Sequence, residues 1–183
     1  IYQITVTDNS GCLLDSTITI NEPNAITYNV DSTDVLCYGD LTGTITFSNA
    51  TGGDGIYNYS VDNGVTNQAA PIFNTLGAAT YQLVVSDNSG CVLDSTITIT
   101  QPDTLAIDNF VIVDASCNGS SDGTVTATIV GGVTNYVYTW SNALAGVNDN
   151  QAINVGAGTY LLTVTDLNGC SVDTLNFVVG EPA

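Results

Sequence analysis

The chain has 183 residues and a formal charge of −18, with no Lys, no Arg and no His. Those absences exclude phosphate-neutralising nucleic-acid binding and attraction to an anionic membrane surface. They also remove the Ser-His pair, the Schiff-base lysine and every ordinary general base near neutral pH.

Of the enzyme classes only a paired-carboxylate hydrolase survives, and the reading adopted is non-catalytic, with no cofactor. With 44% apolar residues the chain still has material for a core. No apolar run approaches a membrane-spanning length, so helical membrane insertion is not expected. No signal peptide is visible, and the chain begins inside a strand pattern, as a piece of a longer protein would. Its carboxylates have no cationic side chain to pair with, so salt should stabilise the fold by screening self-repulsion. The melting temperature is expected to rise between about 0.01 and 0.5 M NaCl, as the Debye length drops from about 30 Å to below about 8 Å. A flat or falling curve contradicts this.

In chain order, the first element is "YQITVTDNSGCLLDSTITINEP" at 2–23, two alternating strands around a polar turn. Residues 37–53 follow as "CYGDLTGTITFSNATGG", a Gly-rich loop running into a strand, then Tyr57, Tyr59 and Val61 at every second position. "LGAATY" at 76–81 leads into "YQLVVSDNSGCVLDSTITITQP" at 81–102, a near copy of the opening hairpin. The pattern then restarts. "CNGSSDGTVTATIVGG" at 117–132 answers 37–53, and Tyr136, Tyr138 and Trp140 answer Tyr57, Tyr59 and Val61. "VGAGTY" at 155–160 and "YLLTVTDLNGCSVDTLNFVVGEP" at 160–182 complete the copy. Cys12, Cys91 and Cys170 are spaced 79 residues apart, the signature of tandem modules. The expected division is 1–23 as the last two strands of a truncated module, then complete repeats at 24–102 and 103–183.

Six or seven short strands in about 80 residues, with no helical period, predict all-β tandem immunoglobulin-like antiparallel sandwiches in series. Tyr136, Tyr138 and Trp140 take one face of the third strand, as core aromatics do. Tyr81 and Tyr160 stand where a hydroxyl bonds back to the preceding turn.

The composite Cys117, Gly119, Gly123, Gly131–Gly132, Tyr136, Tyr138, Trp140, Gly158, Tyr160, Asp166, Gly169, Cys170, Glu181, Pro182 resembles the SprB repeat. Val61 departs from it where the second copy has Trp140. The resemblance implies a very large extracellular, cell-surface adhesin of the gliding-motility kind, exported by the type IX route. Its partners would be neighbouring modules of the same chain, a homo-oligomeric filament and surface glycans of other cells. The alternative function is a carbohydrate-binding accessory module of a secreted protein.

Three groups of residues invite a site. Asp8, Asp87 and Asp166 recur before each hairpin, and they read as caps of their own turns rather than as Ca²⁺ ligands, since one carboxylate per turn falls far short of the usual oxygen set. Asp122 would assist a metal, but its counterpart is Thr42. Ser16, Ser95 and Thr174 sit at one repeat position in Asp-Ser/Thr triplets. These look like the O-glycosylation signal of bacteria that carry such repeats, although parity places Ser16 on the inward side with Leu14, Ile18 and Ile20.

The five cysteines lie too far apart for zinc and lack an activating base, so they read as disulfide partners in an oxidising setting. Pairing within a module gives Cys37 with Cys91 and Cys117 with Cys170. Strand direction favours another choice. The loop before the second strand and the hairpin after the sixth lie at opposite poles of such a sandwich, roughly 30 Å apart, beyond a disulfide's reach. Poles of successive modules meet instead, which pairs Cys37 with Cys170 and sends Cys12, Cys91 and Cys117 to neighbouring modules.

Overall fold

The computed structural model describes residues 1–141, 149–174 and 176–183. Strands alternate inward and outward side chains wherever the sequence does, because successive residues of a pleated strand face opposite sides. β4 (Gly43–Thr51) and β10 (Gly123–Val130) are the clearest cases. Ile45, Phe47, Val125 and Ala127 are buried while the threonines between them are partly open.

The remaining strands are β1 (Tyr2–Thr7), β2 (Leu13–Ile18), β3 (Thr27–Thr33), β5 (Tyr57–Ser60), β6 (Ile72–Leu76), β7 (Ala79–Asp87) and β8 (Val92–Ile99). The second copy supplies β9 (Ala106–Val113), β11 (Val137–Trp140), β12 (Gln151–Val155), β13 (Gly158–Tyr160), β14 (Leu162–Thr165), β15 (Ser171–Asp173) and β16 (Phe177–Val179). The two copies share one strand order. β3-β4-β6 and β5-β7-β8 in the first correspond to β9-β10-β12 and β11-β14-β15 in the second, with β13-β16 a separate pair. This is an all-β, immunoglobulin-like arrangement in tandem. Among the described residues no helix is long and apolar enough to cross a membrane.

By compactness the chain divides into Ile1–Val30, Phe47–Pro71 and Gln82–Ser95 as one unit, and Asp31–Thr46, Ile72–Tyr81 and Thr96–Ala183 as the other. In the first unit Phe47 packs between Tyr28 and Tyr59, at ring centroid distances of 5.4 and 5.0 Å. The β1–β2 hairpin pairs Tyr2 with Ile18, Ile4 with Ser16 and Val6 with Leu14, yet every residue of both strands is exposed. The same positions in the second copy, Tyr160, Leu162 and Val164, are buried.

In the second unit, Val125, Ala127 and Ala152 face Trp140, Leu162 and Val164 across a two-layer core. Phe177 belongs to this core, stacked on Phe110 at 4.8 Å and edge-on to Trp140 at 6.1 Å. The second copy carries one more residue between its hairpin Cys and its Glu-Pro than the first does between Cys91 and Gln101. Where the first copy has one strand, β8, the second has two, β15 and β16. At the break the Thr174 hydroxyl accepts the Leu162 N–H at 2.9 Å, standing in for a ladder carbonyl.

Both copies slip register, where β4 meets β6 between Gly43 and Ile45, and where β10 meets β12 between Gly123 and Thr124. The residue absorbing the slip is left-handed in each: Thr75 at φ 58° and Asn154 at φ 58°. Asn tolerates that region, whereas a β-branched residue is strained in it. Thr75→Asn is therefore expected to stabilise by about 1 kcal/mol, read as a higher urea midpoint. A lower midpoint would contradict the assignment of strain.

Candidate functional site

The repeated "DxxGC" turn is built around one carboxylate, buried in the two full copies and exposed at Asp8. Asp166 is 4% exposed. Its Oδ1 accepts the N–H groups of Asn168 and Cys170, both at 2.9 Å, and its Oδ2 accepts Val133 N–H at 2.9 Å. Asp87 does the same with Ser89, Cys91 and Asp54. Asp8 keeps the two local bonds, to Ser10 and Cys12. The turn-capping reading thus describes all three. The carboxylate also ties the hairpin to a loop 33 residues earlier in the two full copies, which the sequence did not disclose.

That second tie explains the Gly-Gly pair. A Cβ on Gly132 would lie 2.8 Å from Asp166 Oδ2, and one on Gly53 2.2 Å from Asp87 Oδ2. A Cβ on Gly131 or Gly52 would collide with the carbonyl oxygen of Thr104 or Ala25. Both pairs also have positive φ, so only glycine lets the loop close on the carboxylate. The loop is locked further by Tyr136 and Tyr57, whose hydroxyls donate to Gly131 O and Gly52 O at 2.6 Å. The corner tyrosines Tyr81 and Tyr160 bond back to Gly77 O and Gly156 O, at 3.0 and 2.9 Å.

A second loop, before β4 and before β10, presents the other cysteine. Asp34 Oδ1 accepts Thr100 N–H, and Asp114 Oδ1 accepts Gly180 N–H, each at 2.7 Å. Gly39 N–H is held by Gln101 Oε1, and Gly119 N–H by Glu181 Oε2. This accounts for Gln101 and Glu181 before Pro102 and Pro182. Thr42 and Asp122 do one job with different chemistry, accepting Leu36 N–H at 2.8 Å and Ser116 N–H at 2.9 Å. The Asp122 carboxylate is thereby occupied by the loop's own backbone. Asp34 and Asp114 went unnoticed in the sequence, though they lie 80 residues apart, as Cys37 and Cys117 do.

The loop and the hairpin meet within the second compact unit. Cys37 and Cys170 form a disulfide, with an S–S distance of 2.02 Å and Cα atoms 5.7 Å apart, ordinary for such a bond. Beside it, Asn168 Nδ2 donates to Leu36 O at 2.8 Å. The bond joins the two sequence copies across 133 residues, the pairing favoured by strand direction. Cys91 and Cys117, which the within-module alternative would have used, are free thiols, as is Cys12. Cys12 and Cys117 are exposed and Cys91 is half-buried. Burial, and then the Asp87 carboxylate, push the Cys91 thiol pKa up.

The glycosylation candidates separate. Ser16 and Ser95 are exposed, whereas Thr174 is half-buried and its hydroxyl oxygen is already bonded to Leu162 N–H. Leu175, the third residue of that triplet, lies outside the described residues. Ser16 does share a face with Leu14 and Ile18, but that whole face is bare, so parity does not bury it.

No curated protein sequence matches this chain. Among solved structures it is similar to a C-terminal 282-residue fragment of intimin, in complex with the intimin-binding domain of the translocated intimin receptor. That alignment covers 87% of this chain and 64% of the intimin chain, at 14% identity and a TM-score of 0.43. Extracellular domains 3–5 of Drosophila OTK align over 97% of this chain and 68% of theirs, at 12% identity and a TM-score of 0.36. The SprB repeat family matches residues 29–66 and 109–145. Each stretch contains the receiving cysteine, the Gly-Gly pair and the tyrosines of the third strand, and ends before the Asp-x-x-Gly-Cys hairpin. This chain therefore carries two SprB repeats, at residues 29–66 and 109–145.

Proposed function

We propose that this chain is a load-bearing, non-catalytic segment of a secreted cell-surface filament or adhesin, with modules at 24–102 and 103–183 and the last strands of a further module at 1–23. The observation that carries the reading is the Cys37–Cys170 bond, which links a loop of the first SprB repeat to the hairpin that follows the second. A disulfide suits an oxidising, extracellular compartment, and a bond between successive repeats resists extension. The −18 charge keeps such a filament from nucleic acid and from anionic bilayers. Export by the type IX route and adhesion to surface glycans are the finer parts of the same proposal. The carbohydrate-module alternative gains nothing from the third-strand and corner aromatics, since Tyr59, Trp140 and Tyr160 are buried and Tyr136 is spent on Gly131, which leaves it the separate exposed Tyr2 and Tyr38.

Single-molecule pulling tests load bearing. Reduction should release the 133 residues held behind the bond, adding roughly 450 Å of contour at about 3.4 Å per residue. No added length on reduction sinks the reading. Antibody labelling of intact cells tests location, and label only after permeabilisation contradicts it. Ser16 and Ser95 remain the glycan candidates. Natively produced protein is expected to exceed its polypeptide mass, and an intact mass equal to the bare chain removes them.

A further inference from the structure

The Cys37–Cys170 bond has two parts, a receiving loop and an inserted hairpin, and the chain holds unfilled copies of both. The loop around Cys117 repeats the backbone bonds of the filled loop. Ala115 N–H donates to Gly180 O at 3.0 Å where Val35 N–H donates to Thr100 O at 2.9 Å. Ser120 N–H donates to Cys117 O at 3.0 Å where Asp40 N–H donates to Cys37 O at 3.1 Å. The hairpin ending in Cys12 likewise repeats the inserted one. Its closing bond, Asp8 N–H to Cys12 O, is 3.1 Å against 2.9 Å for Asp166 N–H to Cys170 O. Both free elements are already in the bonded shape, and both thiols are exposed. The filled pair in the same molecule shows what such a loop takes.

We propose that Cys117 is a second receiving thiol, which takes an Asp-x-x-Gly-Cys hairpin from a second copy of this chain, the one ending in Cys12, so that copies join head to tail. The proposal rests on the reading of Cys37–Cys170 as a staple between repeats. Cys12 is the preferred donor because it is exposed, whereas Cys91 is half-buried with a raised thiol pKa. The oxidant is a small-molecule disulfide such as oxidised glutathione. One protein thiolate attacks it and releases one glutathione thiolate. The second protein thiolate attacks the mixed disulfide, forms the Cys117–Cys12 bond and releases the other. Two electrons pass from the two cysteines to the oxidant, and each cysteine loses its proton to solvent.

The test oxidises the full 183-residue chain with glutathione disulfide at about 0.5 M NaCl, where its self-repulsion is screened. Non-reducing gels should show a ladder of multimers. Cys117→Ser should abolish it, Cys12→Ser should reduce it at least several-fold, and mixing those two variants should restore a dimer alone. Peptic digestion at acid pH, which needs no Lys or Arg, should yield Cys12 linked to Cys117. Wild-type chain that stays monomeric, an undiminished ladder from Cys117→Ser, or Cys12 linked to Cys12 would overturn the proposal. The same digest separates the two claims. Recovery of Cys37 linked to Cys170 leaves the staple standing even if Cys117 stays free, and its loss removes the staple itself.

Discussion

Replacing both Cys37 and Cys170 by serine is expected to lower the stability of the second compact unit by about 5 kcal/mol, as an upper estimate. The figure follows from the chain-entropy model of a crosslink, in which the unfolded chain regains the freedom of a loop of 133 residues. The double substitution leaves no orphan thiol, so the change reports the bond rather than new chemistry. At roughly 4 °C per kcal/mol for a unit of this size, the melting temperature should drop by about 20 °C. Reduction of the unmodified protein should produce the same drop. Calorimetry decides it, and a shift under about 3 °C would mean that the bond closes onto repeats already held together by other contacts.

The second large effect is expected at the buried carboxylates. Asp166→Ala strands the N–H groups of Asn168, Cys170 and Val133. Asn168 is exposed and Val133 and Cys170 are half-buried, so water recovers part of the loss and the cost is about 2 kcal/mol. Asp166→Asn should cost less, because an amide oxygen can still serve two of them. Asp87→Ala should lower the melting temperature of the first unit through the same three kinds of bond. Equal loss from Ala and Asn would point to charge rather than hydrogen bonding. The pH dependence has a definite sign. Burial raises the Asp87 pKa, but the N–H donors of Cys91, Asp54 and Ser89 outweigh it and hold the carboxyl below its ordinary value. Asp8, Asp34 and Asp122 are lowered by backbone and hydroxyl donors, and Asp62 falls to about 2 under Ser60 and Thr66. A depressed carboxyl stabilises the fold fully above its unfolded pKa and loses that contribution as pH falls through the folded one. The melting temperature should therefore hold down to about pH 4 and fall between about pH 4 and pH 2. A rise over that window would mean that relief of self-repulsion dominates.

What the sequence determined alone was whatever depends on near neighbours and on repetition. Alternation along 124–130 and 159–166 set the strands and their inner faces, because pleating ties parity to burial. The 79-residue recurrence set the modules, and Asp before Gly-Cys set the turn, since a carboxylate two and four residues from its N–H partners needs no distant help. Tertiary structure decided the partners that are far apart in the chain. Nothing local tells Asp166 that its third donor is Val133, or Gly119 that Glu181 will hold it across 62 residues. Local pattern also left Ser16 facing inward, and only the bare hairpin exposed it. The cysteines show the boundary most clearly. Composition limited them to disulfides and strand direction ranked the pairings. The bond itself needed the poles of two successive repeats brought within 5.7 Å, and that distance is set by packing, not by any residue near Cys37 or Cys170.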